Sequence, residues 1–580
     1  MQTSTTFGLD PSTRQRIAER LQKLYGAASE ECLPRILDCI AKFENRLPRC
    51  NARSWDPTDV LLITYADIVR QTGESPLETL RQFLKQQGLE ELLSTVHLLP
   101  FFPSSSDDGF SVVDYRAVDP ALGNWEDVAG LREDLRLAFD LVLNHISSQS
   151  GWFAAYKRGE QPYTRFFIEV DPTKDLSAVT RPRSSPLLTP VETRRGTRHV
   201  WTTFSADQID LNYAEPAVLV AMLEVLLHYV ARGAQIIRLD AVAYLWKQIG
   251  TPCIHLWQTH EVVKLLRDVL SAVAPHVWLL TETNVPHQEN VSYFGDGDEA
   301  QMVYQFALPP LLLSAFAHGD ATPLSNWLAD LEATPPGTTF LNFTASHDGI
   351  GLRPLEGLVS EERIGQLVAA MRRRGGLVSS RRREDGVDVP YELNITYVDA
   401  LAPDDPSDAP LHARRFLSSQ AVMLAMRGIP AVYFHSLFGT RNDTQAAAES
   451  GQPRRINRRK FALRELLEQI DPSDSLSHRI YAGFRRLLEV RRRQAAFHPD
   501  ASQQVLDAGD PAILALLRTS LDRRQRVLVA VNVSTRPRTF TLAKHVADHE
   551  FFRRDLIADR LIDNTKPLVL DAGQSVWLST

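Results

Sequence analysis

The stretch IIRLDAVAYLWK, residues 236–247, sets two charged side chains, Arg238 and Asp240, into what otherwise reads as a buried β-strand. Burying a charge is costly unless it is paired. Either the two form a structural ion pair, or the strand ends at a site that uses charge. Alternation along a strand puts residues two apart on one face, so Arg238 and Asp240 point the same way.

Working outward, short β-branched or aromatic runs recur along the chain. They are LLITYAD (61–67), STVHLLPFF (94–102), LRLAFDLVLNH (135–145), AQIIRLDAV (234–242), VWLLTET (277–283), MVYQFAL (302–308), TTFLNFTASHD (338–348) and IPAVYFHSLFG (429–439). Helix-period stretches such as AVLVAMLEVLLHYVARG and EVVKLLRDVLSAVAP follow several of them. Near-continuous apolar strands alternating with helices predict an α/β fold, a parallel sheet buried on both faces and closed as a (β/α)8 TIM barrel over 59–485. Two gaps, 146–213 and 349–410, are too long for simple connections, and we expect them to build lid subdomains over the barrel mouth. Residues 1–58 predict a helical extension, with stripes Ile17, Leu21, Leu24 and Ile36, Leu37, Ile40, Phe43 as a docking face or an oligomer contact. From 486 to 580 the pattern turns to short strands, predicting an antiparallel β-domain.

The bulk properties narrow the partners. Hydrophobic content of 44%, 23% charged residues and a net charge of −7 describe a globular chain without the positive excess that nucleic acid or an anionic membrane demands. The N-terminus lacks an apolar core of signal-peptide length, and no apolar run is long enough to span a bilayer. Cys32, Cys39, Cys50 and Cys253 show no metal or disulfide spacing, so free thiols and a cytoplasmic location are expected.

In such a barrel the chemistry sits at the C-terminal ends of the strands. Those ends carry Asp67, the loop SSDDGF with Asp107, His145, Asp240, Glu282, and the pair His347 and Asp348. Carboxylates converging on one rim repel and raise each other's pKa, a poor device for stability alone. Paired carboxyls suit glycoside chemistry, where one is ionised and the other donates a proton to the leaving oxygen. Arg238 would keep Asp240 ionised, and desolvation beside VWLL would hold the proton on Glu282.

The segments DLVLNH (140–145), IIRLD (236–240), LTET (280–283) and TASHD (344–348), with QIDLN (208–212), resemble the conserved-type regions of the α-amylase family of glycoside hydrolases. LITYAD, LLPFFPSSSDDGF, FALPPLLL, HDGIGL and INR (456–458) resemble its sucrose phosphorylase branch. The resemblance implies a retaining glucoside phosphorylase with Asp240 as nucleophile, Glu282 as general acid/base and Asp348 as transition-state stabiliser. Asp107 and Arg458 would close the base of the glucose pocket, and Phe110 would be a stacking platform. His145, His347 and Arg238 would bind glucose hydroxyls or orient Asp240. Arg183 and Tyr391 match positions the branch uses for phosphate, and Tyr244 borders the acceptor side. No metal or cofactor is implied; Asn144, a calcium ligand in many amylases, reads as structural. Inorganic phosphate is the implied co-substrate, with a small sugar substrate and a homodimer as the default assembly.

The acceptor side departs from that branch at Asn284, where histidine is usual, and at Glu392, where glutamine is usual. RPRSSPLLTP, WTTFSADQIDLNY and the N-terminal extension resemble the longer members, which act on glucosylglycerate, glucosylglycerol or sucrose 6′-phosphate. The basic cluster MRRRGG and SSRRRED places Arg381, Arg382 and Arg383 near the second lid, where one could pair with an acceptor carboxylate. With no histidine for a second phosphate in that loop, glucosylglycerate is the favoured substrate. A hydrolase or transglucosidase of the same barrel would keep the same carboxylates.

Overall fold

The structure is a computed structural model describing residues 9–580 apart from 49, 184, 383–386, 406 and 547–548; at 382, 545 and 550 only the backbone is described. Eight parallel strands close into a barrel in sequence order: β1 (Leu61–Thr64), β2 (Thr95–Leu98), β3 (Arg136–Leu141), β4 (Ala234–Leu239), β5 (Trp278–Thr281), β6 (Met302–Tyr304), β7 (Thr339–Phe343) and β8 (Ile429–Tyr433), which pairs back with β1. Their residues are buried almost throughout, because one face fills the barrel and the other packs on helices. The uninterrupted apolar runs follow from that double burial, and the expected (β/α)8 barrel is what forms.

The extension forms two helices, α1 (Pro11–Tyr25) and α2 (Ser29–Phe43). Asp10 caps α1 by accepting from the Thr13 amide at 3.0 Å, with Pro11 in the first turn. Ile17 and Leu21 of α1 and Ile36, Ile40 and Phe43 of α2 are buried. They pack α1 on helix Trp257–Val273 and α2 on helix Pro216–Ala231. Arg20 bridges Asp268 at 2.7 Å and Glu261 at 3.1 Å, so ion pairs flank the apolar seam. The stripes dock on the barrel.

The first insertion pairs His145–Ser147 antiparallel with Gln208–Asp210 and carries the hairpin Leu188–Thr193 and Gly196–Trp201. The second holds helix Glu361–Arg373 and an antiparallel sheet of Ile350–Gly351, Asp388–Asn394 and Leu377–Arg382. Antiparallel strands including Ile513–Thr519, Arg526–Asn532 and Ser575–Ser579 make the C-terminal sheet. The boundary expected at 485 falls inside helix Leu476–Arg491. Arg491 is fully buried and donates from Nε to the Leu424 carbonyl at 2.8 Å, which ties that helix to the barrel. Among the described residues no helix is long and apolar enough to cross a membrane.

Candidate active site

Strand register delivers the carboxyl groups. Asp140 of β3 lies level with Arg238 of β4, which lies level with Leu280 of β5. One step further, the Asp240 amide donates to the Leu141 carbonyl at 3.1 Å and the Glu282 amide to the Leu239 carbonyl at 3.2 Å. Asp240 and Glu282 are therefore neighbours at the same height of the barrel mouth. Immediately after Asp240 the chain turns through Ala241 in the left-handed region, φ 49°. That conformation strains a residue with a Cβ, and it aims the Ala241 amide at Glu282 Oε2, 3.1 Å away.

The two carboxyls differ in their cations. Arg238 is 2% exposed and is held between carboxylates, donating from Nη1 to Asp140 and, at 2.7 Å, to Asp240 Oδ1. Asp140 also meets His97 Nε2 at 2.8 Å, which completes a buried row His97–Asp140–Arg238–Asp240. Glu282 lies farther off, 3.9 Å from Arg238 Nη2. Burial pushes both Asp240 and Glu282 up, to about 7, against the pull of Arg238, with Asp140 and Asp348 adding to the push on Asp240 and Asp240 and Asp348 to that on Glu282. Because the guanidinium donates directly to Asp240, the proton the pair shares near neutral pH resides on Glu282. Asp348 behaves oppositely. Burial pushes it up, but the cations around it, Arg454 first, hold it well below the usual carboxylate range.

The cleft around these groups, counting the space open to solvent at its mouth, measures about 720 Å³. Its inner end is lined by Asp107, Phe110, His145, Gln208, Arg238 and His347. Phe110 and His347 stack with ring centroids 4.7 Å apart, and the Arg238 guanidinium lies 5.6 Å from the Phe110 ring centre. His145 Nε2 donates to the Phe110 carbonyl at 2.9 Å, and burial lowers both histidines, leaving neutral rings that present hydrogen bonds rather than charge. Gly109 is required in this loop: at φ 110° a Cβ would meet the Pro100 carbonyl oxygen at 2.5 Å.

Arg458 and Glu392 support the cleft without lining it. Arg458 donates to the His347 carbonyl at 2.8 Å and pairs with Asp108 at 2.7 Å, while Asp107 lies 3.7 Å away and faces the cleft. Glu392 accepts from the Gly349 amide at 2.6 Å and pairs with Arg454 at 3.0 Å. Arg454, lining the cleft, donates onward to Asp348. The outer end is lined by Pro182, Arg183, Tyr244, Thr283, Asn284, Val285 and Tyr391. Asp67 is elsewhere, held by Lys460 at 2.5 Å and by Arg70. Arg381 pairs with Glu356 at 3.0 Å, in a groove that does not include the cleft residues, and Arg383 and the Arg382 side chain lie outside the described residues.

Residues 82–334 match the α-amylase catalytic domain. A glucosylglycerate phosphorylase of Allomeiothermus silvanus is 47% identical over 547 residues, 94% of this chain and 97% of that protein. Another, of Spirochaeta thermophila, is 47% identical over 536 residues, 91% of this chain and 90% of that protein. The chain belongs to the glucosylglycerate phosphorylase family of α-amylase-type enzymes. In its fold the enzyme aligns with the crystal structure of sucrose 6F-phosphate phosphorylase from Thermoanaerobacter thermosaccharolyticum, at TM-score 0.71 and 27% identity, covering 82% of this chain and 94% of that one.

Asn144, expected to be structural, lies beside a buried lysine. Lys247 Nζ lies 2.7 Å from Asn144 Oδ1 and 2.5 Å from Asp210, with its side chain 2% exposed. The negative charge of Asp210 is already matched by an ammonium.

Three working residues escaped the sequence reading. Asp140 carried a readable signal, a charge inside the apolar run LAFDLVL, the same anomaly that marked Arg238. His97 sits likewise inside TVHL. Arg454 had none: it lies in the polar stretch PRRINRR, and only the fold of residues 453–458 brings it to Asp348.

Proposed function

We propose that the enzyme catalyses reversible phosphorolysis of an α-glucoside, glucosylglycerate by preference, giving α-D-glucose 1-phosphate and glycerate with retention of configuration. Asp240 attacks the anomeric carbon while Glu282 gives its proton to the departing glycerate oxygen, leaving a glucosyl ester on Asp240. Phosphate then attacks that ester; the phosphate oxygen bonds to the anomeric carbon and Asp240 leaves as the carboxylate. Glu282, now ionised, takes back a proton from the incoming phosphate. Asp348, fixed as an anion by Arg454, holds sugar hydroxyls and favours the oxocarbenium-like transition state.

The observation that carries the reading is the asymmetry of the pair: Asp240 directly under Arg238, Glu282 part-buried and without a cation at hydrogen-bond distance. The relatives' names supply phosphate and glycerate. Phosphate is the co-substrate and no cofactor is called for. Four free cysteines, three of them buried, fit a cytoplasmic enzyme, and a homodimer is the assembly we expect. The test is to incubate glucosylglycerate with and without inorganic phosphate and to measure glucose 1-phosphate and glucose. Glucose 1-phosphate formed only with phosphate, with little free glucose, is the expected result. Equal consumption in both conditions with glucose as product would make the enzyme a hydrolase.

A further inference from the structure

Beside the outer end of the cleft, one cation is left without a carboxylate. Arg353 follows the short strand Ile350–Gly351, which pairs with Leu393 and Glu392. The next amide, of Leu352, donates to the Tyr391 carbonyl at 2.9 Å, so Arg353 is carried by the same strand pair that sets Tyr391 in the cleft wall. Gly351 lies against Asn284, where a Cβ would come within 2.5 Å of the amide oxygen. Arg353 thus begins its turn where the second lid meets the loop after Glu282. Its Nε is buried without a hydrogen-bond partner, and among the described residues no carboxylate pairs with it. An unmatched buried guanidinium donor is costly to keep.

We propose that Arg353 is a specificity residue for acidic acceptors, its guanidinium joining that of Arg183 to take the carboxylate of a short hydroxy acid such as glycerate. This rests on the phosphorylase reading above. Arg183 is similarly open: its nearest carboxylate, Glu392, is 3.9 Å away and already holds Arg454 at 3.0 Å. Both guanidinia act on one wall of the site. Burial pushes the Tyr244 phenol up, while Arg353 and Arg183 both pull it down. Burial, then His260 and Arg353, keep His255, beyond Tyr244, low, at about 4. Two guanidinia acting on one tyrosine, neither holding a carboxylate at hydrogen-bond distance, suit an acceptor carboxylate, which accepts two parallel hydrogen bonds from a guanidinium. In the same lid, Arg381 is committed to Glu356 at 3.0 Å and Arg363 to Asp320 at 2.9 Å. A neutral acceptor leaves the Arg353 donor unmatched, so the site discriminates by charge.

The test measures glucosyl transfer from glucose 1-phosphate to D-glycerate and to glycerol by the wild type, Arg353→Met and Arg353→Lys. The wild type should prefer glycerate strongly in kcat/KM. Arg353→Met should cut that preference about 100-fold, as expected for truncating one side of a buried charge pair, with the loss falling on the glycerate arm and mainly in KM. Arg353→Lys should recover part of the preference, because it keeps the charge and loses the fork. An unchanged ratio, or a parallel fall on both acceptors, overturns the proposal, the latter because it assigns Arg353 to the phosphate site or to folding. A wild type that transfers to neither acceptor overturns the phosphorylase reading instead.

Discussion

The two ends of the cleft are built differently. The inner end is made by strand ends and the loops directly attached to them, and its charges are matched at hydrogen-bond distance: Arg238 with Asp140 and Asp240, Arg458 with Asp108, Arg454 with Asp348. The outer end adds Arg183 of the first insertion and Tyr391 of the second to the loops after β4 and β5, and Arg183 and the nearby Arg353 have no carboxylate at hydrogen-bond distance among the described residues. Cations already paired with carboxylates fix the geometry for one sugar, whereas cations with no carboxylate at hydrogen-bond distance wait for an anionic ligand. The difference separates what the enzyme transfers from what it transfers to and from.

That contrast can be broken first at the nucleophile. Asp240→Asn should lower kcat for phosphorolysis by about 10⁴-fold or more, for every acceptor alike, because the ester no longer forms. Steady-state rates with two acceptors check this. Glu282→Gln should cost about 10³-fold with glucosylglycerate, less with a donor such as α-glucosyl fluoride whose leaving group needs no proton. Its pH profile sharpens the point. With Glu282 as the proton donor and its pKa raised by burial to about 7, wild-type kcat/KM should fall as pH rises through that value. The glutamine variant should lose that alkaline limb.

Removing charge from the buried row should act more mildly. Asp140→Asn leaves Arg238 with one carboxylate fewer, so kcat should fall about 10²-fold with KM for the glucoside little changed, since the aspartate positions Arg238 and touches no substrate. At the outer end, Gly351→Ala should push Asn284 aside, raising KM for glycerate several-fold while kcat for the enzyme-bound glucosyl group is spared. An inner-end variant that changed acceptor preference, or an outer-end variant that abolished ester formation, would erase the division.

The same division explains what was legible in the sequence. Strands β1–β8 are local, each announced by a run of apolar residues, and Asp240, Glu282 and Asp348 are charges where such runs stop. Asp240 and Glu282 needed only register to become neighbours. The outer end depends on contacts between insertions far apart in the chain. Arg353 follows the motif HDGIG with no local mark, and Arg381, in a conspicuous run of arginines, pairs away from the cleft with Glu356. Glu392, expected at the acceptor, instead lies behind it and steadies Arg454, because alternation along Asp388–Asn394 turns Tyr391 to the cleft and its neighbour away. Charge density in sequence is thus a poor guide to open charge in space.

The central claim is that glucose passes through a covalent ester on Asp240. The direct test treats the Glu282→Gln variant with α-glucosyl fluoride, quenches in acid and maps the protein by mass spectrometry. The account predicts one glucosyl unit on the peptide containing Asp240, discharged as glucose 1-phosphate when phosphate is added before the quench. A label on another carboxylate, or turnover of the fluoride with no labelled peptide at any time, would contradict it.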